Sequence, residues 1–209
     1  MNGIASYREL KPNKEVQKLI AYVGEKLPFF PQSNEYREIL RKKKNEDQHS
    51  GAMCVYMTNA CQAKFNFQRE NAQFGSHTID IGVYKGAILI FVIEAKILPT
   101  PEGTNNNQRV EHEYVYGKGA GIQRYKDGVH GVDNENTLFP DGGMLAYVKE
   151  NDFAFWHSKV NQWILDAEWG ATEQLQKVNL DKIATFISAH SRKDGSVIRL
   201  HHFWVYVVS

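Results

Sequence analysis

The run from Ala87 to Leu98 constrains this chain more than any other segment. Taken at alternate positions, one face reads Ala87, Leu89, Phe91, Ile93, Ala95 and Ile97, apolar from end to end. The other reads Ile88, Ile90, Val92, Glu94, Lys96 and Leu98. A strand that is apolar on both faces is covered on both faces, so this one belongs at the centre of a sheet with helices on either side. Two charged residues then interrupt a buried face near the strand's end. Burying such groups costs several kcal/mol each unless they are paired or bind an ion. Glu94 and Lys96 can satisfy each other as a salt bridge. Alternatively, Glu94 and Asp80 of the preceding strand make a carboxylate pair that holds a hard divalent cation.

The flanking sequence supplies helices first and strands afterwards. Lys14 to Leu27 sets Val16, Leu19, Ile20, Val23 and Leu27 on one helical face, and Pro28 and Pro31 break the pattern. A short helix is expected over 35–43, and a third from Asn45 or Asp47 to about Ala63. Strands are expected over 64–68 and 77–84, the latter joined to 87–98 by a tight turn at Lys85-Gly86. A long polar loop over 99–116 leads to a short helix over 118–127, with Gly117, Gly119 and Gly121 at its start. A strand over 143–149, a helix over 152–168 with Trp156 and Trp163, and strands over 183–189 and 196–208 complete the chain. This order predicts an α/β (α+β) domain with a mixed sheet. It is read as one domain, 1–209, with a helical decoration at 1–44 and a core at 45–209.

Composition narrows the function classes. The chain is 42% hydrophobic and 23% charged, which fits a globular domain and excludes a disordered tail. Its net charge is +1, so a polyanionic partner must be gripped by a local basic patch. Arg41-Lys42-Lys43-Lys44 is one candidate patch, and Arg124 with Lys126 is another. Cys54 and Cys61 lie two helical turns apart, too far to bridge. They are expected as free thiols, which favours a cytoplasmic protein. The first residues lack the apolar core of a signal peptide, and no apolar run is long enough to span a bilayer. His201 and His202 are adjacent on a strand and must face opposite ways, so they cannot form one metal pincer. Glu111-His112-Glu113 is expected to be solvated in its loop.

The pattern Asp80-x13-Glu94-Ala95-Lys96 resembles the signature of the PD-(D/E)XK nucleases, the restriction-endonuclease-like fold. Ile79 stands where the family's name has proline. The resemblance covers about Asn45 to Lys149. It implies Asp80, Glu94 and Lys96 as catalytic residues, and Mg²⁺ or Mn²⁺ held by Asp80, Glu94 and the Ala95 carbonyl. Glu46 is the candidate extra acid from the helix before the hairpin, with Glu70 behind it. Gln123 loosely matches a glutamine that some branches carry on the following helix, although Asp127 stands where those branches have tyrosine. The implied activity is phosphodiester hydrolysis, with DNA as the expected substrate, in a bacterial defence or restriction role as a homodimer or part of a larger complex. The alternative is a non-catalytic nucleic-acid-binding or assembly subunit on the same fold.

The resemblance makes a geometric demand. A strict two-residue turn at Lys85-Gly86 would set Asp80 opposite Phe91, on the face away from Glu94. A β-bulge or a three-residue loop must therefore shift the register by one residue, with Asp80 expected opposite Ile90 or Val92.

Overall fold

In a computed structural model of the chain, the described residues are 13–40, 45–62, 64–72, 78–102, 110–117, 119–133, 135–178 and 185–207. Helices α1 (Lys14–Lys26), α2 (Asn34–Leu40) and α3 (Glu46–Ala60) come first, with a 3₁₀ helix at Leu27–Gln32. Strands β1 (Asn66–Ala72), β2 (Thr78–Lys85) and β3 (Ile88–Leu98) follow. A 3₁₀ helix at Glu111–Tyr114 and α4 (Gly121–Lys126) lead to β4 (Asp141–Val148) and α5 (Phe153–Asp166). The chain closes with a 3₁₀ helix at Ala171–Glu173 and strands β5 (Gln176–Lys177), β6 (Thr185–Ser191) and β7 (Val197–Tyr206).

The strands form one seven-stranded mixed sheet in the order β1-β2-β3-β4-β7-β6-β5. β3, β4 and β7 run parallel at its centre, and the outer pairs are antiparallel. Each face carries its own core. Phe91, Ile93, Ala95 and Ile97 of β3 pack towards α1, α2 and α3, whereas Val92 and Leu98 pack towards α4 and α5. β3 is thus covered on both faces, as its composition requires.

Residues 13–40, the described part of the segment expected as a decoration, pack into the core. Leu19, Leu27, Phe30 and Tyr36 are fully buried in the same cluster as Phe91, Tyr147, Phe203 and Val205. Without them one face of the central sheet would meet water, so they belong to the domain core. Asn45 caps α3 in a reciprocal box with Gln48, which places Glu46 in the first turn, against the sheet. Cys54 and Cys61 are both buried free thiols.

The hairpin between β2 and β3 carries an irregularity of the kind the resemblance demands, although the turn is not at Lys85-Gly86. The turn is at Gly86-Ala87, where Gly86 takes φ 61°, and the pairing runs Lys85↔Ile88, Tyr84↔Leu89. It then jumps to Val83↔Phe91, so Ile90 is a bulge. Its signature is that Ile90 and Phe91, though consecutive, both pack on the α1–α3 side, while Leu89 packs on the other. The register continues to Ile81↔Ile93, which brings Asp80 level with Glu94 rather than with Ile90 or Val92. All three positions have the same parity, so the expected face is right and the expected level is corrected.

β4 is pressed closely into the sheet. A Cβ on Gly143 would lie 2.8 Å from Ile93 Cγ1 and 2.9 Å from Phe91 Cε1. Gly143→Ala is therefore expected to lower stability by about 1–3 kcal/mol through overpacking, read as a fall in the urea midpoint at constant slope. An unchanged midpoint would show that the β3–β4 contact has slack.

Candidate active site

The site lies where β2 parts from β3. Beyond Ile81↔Ile93 the ladder stops, and β3 turns two main-chain N–H groups towards carboxylates instead. Ala95 N–H donates to Asp80 Oδ2 (2.8 Å), and Ile97 N–H donates to Glu46 Oε2 (3.2 Å). A residue's carbonyl leaves a strand on the same side as its N–H, so the Ala95 carbonyl faces the Asp80 side. Glu46 is thus a built part of the strand edge, not a solvated first-turn residue.

Glu94 and Lys96 project from the opposite side of β3 to Ala95, and both are buried. Glu94 Oε1 accepts from Lys96 Nζ (2.8 Å) and from Arg124 Nη1 (3.1 Å). Its Oε2 lies 3.3 Å from Nδ1 of the buried His130, and neither atom has a hydrogen bond of good geometry. Burial pushes the Glu94 pKa up, but Lys96, His130 and Arg124 outweigh it and bring it down to about 2. Burial likewise works against charge on Lys96, yet Glu94, Glu46 and Asp80 hold its pKa above the usual lysine value. Lys96 Nζ also reaches Glu46 Oε1 at 3.8 Å. The salt bridge between Glu94 and Lys96 is therefore present, and Arg124 extends it.

Asp80 is different. Burial and the neighbouring Glu94 charge raise its pKa to about 7, against a smaller opposing effect from Lys96 and the Ala95 N–H. It has no ion pair among the described residues.

Two further residues complete the wall, and sequence reasoning missed both. Glu113 is buried in its 3₁₀ helix and lines the cavity, where a solvated loop residue was expected. His130 reaches the site because α4 ends in a tight cap. Gly128 takes φ 71°, Gly128 N–H donates to the Tyr125 carbonyl and Val129 N–H to the Arg124 carbonyl. The glycine two residues before His130 was the one available signal, since it marks where the helix must stop. Tyr125 Oη donates to the Gly143 carbonyl (2.9 Å), which pins α4 to the sheet and sets Arg124 over Glu94. The resulting cavity has a volume of about 450 Å³ and is lined by Asp80, Lys96, Glu46, Glu113, Arg124 and His130, among others.

Other sequence candidates are not brought here. Gln123 donates to Asp127 Oδ1 (3.1 Å) along its own helix and does not line the cavity. α4 is only six residues long, and the position it turns to the site is Arg124. Lys126 is tied to Glu173 (2.5 Å) and lies over the Trp169 ring, so it is a structural cation rather than a free phosphate contact. Glu70 is exposed and paired with Arg69. Lys42 and Lys43, with the rest of the 41–44 run, lie outside the described residues.

The donor set was weighed against a divalent ion. Among the described residues no group of three or more His, Cys, Asp or Glu is placed to hold a metal, which argues against a closed all-protein cage of the zinc kind. Mg²⁺ makes a smaller demand, because it keeps waters and takes one or two carboxylates plus substrate phosphate. Asp80, which lines the cavity and has no ion pair among the described residues, fits that demand, and Glu94 Oε2, fully buried and outside the lining, is the second oxygen that makes no hydrogen bond there.

Comparison with protein-family models, with curated proteins and with solved structures finds no match to this chain. Among the described residues no helix is long and apolar enough to cross a membrane.

Proposed function

We propose that this protein is a metal-dependent nuclease of the PD-(D/E)XK kind, hydrolysing phosphodiester bonds with DNA as its preferred substrate. One observation supports the reading above the others: the bulge at Ile90 brings Asp80 level with Glu94, one residue from the Ala95 N–H that it binds. Asp80, Glu94 and the Ala95 carbonyl would hold Mg²⁺ or Mn²⁺. Bound there, such an ion lowers the pKa of a water and neutralises phosphate charge. Lys96 offsets charge developing on a phosphate oxygen. Arg124, half-exposed at the cavity mouth, binds a second phosphate oxygen. Glu46 holds Lys96 in place and closes the β3 edge. A bacterial defence role, a cytoplasmic location and pairing of two chains for double-strand cuts go with this reading.

A non-catalytic nucleic-acid-binding subunit is the second reading, and a specific observation favours it. Glu94 is already balanced by Lys96 and Arg124 without any ion. Incubation with duplex DNA, single-stranded DNA and RNA, each with Mg²⁺, Mn²⁺ or EDTA, separates the two. The nuclease reading expects cleavage of at least one substrate that EDTA abolishes. Lys96→Met should slow it by about 100-fold or more, while Mn²⁺ binding, measured by titration, persists. Wild-type cleavage by Lys96→Met, or cleavage unaffected by EDTA, would remove the active-site assignment.

A further inference from the structure

On the α5 side of the sheet a continuous chain of hydrogen bonds runs through the core. Trp204 Nε1–H donates to Tyr114 Oη (3.0 Å), which lies 2.8 Å from His202 Nδ1. His202 Nε2 is 2.7 Å from Ser188 Oγ, and Ser188 Oγ is 2.7 Å from His190 Nε2. His190 Nδ1 is 2.7 Å from Glu173 Oε2, and Lys126 closes the chain on that same oxygen. Tyr114, Ser188, His190 and His202 are at most 1% exposed, so bulk solvent does not reach them. His201, the other half of the histidine pair, faces away and binds Asp141 (2.9 Å).

The protons in this chain can be placed by elimination. Glu173 is ionised, because burial is outweighed by His190 and Lys126. His190 must then carry its proton on Nδ1 and accept from Ser188 on Nε2. The Ser188 hydroxyl, having donated, accepts from His202 Nε2–H. His202 Nδ1 is then bare and accepts the Tyr114 hydroxyl. Every donor and acceptor is used once both imidazoles are neutral. An added proton spoils the arrangement, because it leaves a buried hydroxyl with nothing to donate to: Ser188 if His190 takes it, Tyr114 if His202 does. Such an orphan costs about as much as a lost buried hydrogen bond.

The two ends of the chain belong to the elements that wall the cavity. Tyr114 follows Glu113, Lys126 lies two residues after Arg124, and Gln123 N–H donates to the Val115 carbonyl (2.9 Å), joining the two elements. We propose that the Tyr114–His202–Ser188–His190–Glu173 relay is an acid-sensitive latch: neutral, it clamps the Glu111–Tyr114 helix and α4 against β6 and β7, and on protonation it releases them and opens the cavity wall. This inference is independent of the reaction proposed for the cavity.

The charges around the relay agree. Burial lowers the pKa of both histidines. Glu173 acts against that at His190, with Lys126 of α4 on the lowering side. At His202 the neighbouring His190, His201 of its own strand and His157 of α5 lower it further. Above the unfolded histidine value of about 6.5 neither ring affects stability. Below it the unfolded chain takes up protons that the latch disfavours, so the folding constant falls as pH drops. Asp80 works in the opposite sense over the same window, because its folded pKa of about 7 makes the folded state gain a proton. Asp80 therefore offsets part of the fall, which should be steeper in Asp80→Asn.

The test uses the full chain labelled with ¹⁵N-histidine. At pH 7.5, long-range ¹H–¹⁵N correlation should find His190 protonated on Nδ1 alone and His202 on Nε2 alone. At pH 5.5, amide exchange corrected for intrinsic rate should accelerate in 112–126 at least tenfold more than in β3 and β4. Ser188→Ala should produce the same selective loosening already at pH 7.5. If that variant does not fold, the wild-type measurements still decide. Either ring charged or in the other tautomer at pH 7.5, or acceleration absent or uniform at pH 5.5, would overturn the latch.

Discussion

Glu94→Gln is expected to lower the unfolding free energy by about 3–5 kcal/mol at pH 7 and to abolish the proposed cleavage. The amide is isosteric and can still accept a hydrogen bond, so packing is kept and only charge is lost. What remains is Lys96, buried, with Arg124 and His130 around an uncharged group. Removing one partner of a buried ion pair leaves the other uncompensated, which is the origin of the magnitude. The pH dependence gives a second readout. Glu94 titrates near 2 in the folded protein, below its unfolded value of 4.5. Its contribution is therefore fully present above pH 4.5 and is lost as pH falls towards 2. Urea unfolding of both proteins should give a wide gap at pH 7 that narrows by pH 3. Equal stability at pH 7 would mean that Lys96 and Arg124 do not depend on Glu94.

Asp80→Asn should abolish cleavage too, but with stability moving the other way. Asp80 has no cation partner among the described residues, and burial beside Glu94 raises its pKa from 3.8 to about 7. A raised carboxyl pKa means that the folded state binds the proton more tightly than the unfolded chain. The protein is therefore most stable, in respect of this group, below about pH 4, and loses that stability as pH rises through 7. The asparagine side chain can still accept the Ala95 N–H while carrying no charge. A gain of about 1–3 kcal/mol at pH 8 is expected, smaller than full linkage implies because the group is partly solvated. The gain should vanish on approach to pH 4. Saturating Mg²⁺ or Mn²⁺ should raise the wild-type melting temperature and leave the variant unmoved. A variant less stable than wild type at pH 8 would show that the Asp80 charge is compensated after all.

The elements with strong local signals were legible. β3 announces itself as a central strand by being apolar at both parities. α3 starts where Asn45 and Gln48 form a capping box, and α5 carries Trp156 and Trp163 inward. Other features gave little signal. The 3₁₀ helix at Glu111–Tyr114 is too short to have a period, and its Glu113 and Tyr114 are buried, the Tyr114 ring and hydroxyl being taken up by His202 and Trp204. The two-residue strand β5 exists only by pairing with β6. The site itself was half legible: Asp80, Glu94 and Lys96 stand out, whereas Glu113 and His130 are ordinary residues in loops until the chain folds.

By itself the sequence determined that a charged pair must sit on a doubly covered strand, and that Asp80 could share its face only through a register shift. Both follow from short-range rules, the alternation of side chains along a strand and the cost of burying charge. Only the tertiary structure decided how the two acids differ. In sequence Asp80 and Glu94 look like equivalent carboxylates that repel each other. In space Arg124 from α4 and His130 from beyond its cap close around Glu94, whereas Asp80 has no ion pair among the described residues. Ionisation in a buried site is set by which charges lie within a few ångströms, and those neighbours are assembled by α4, whose Tyr125 hydroxyl binds the sheet.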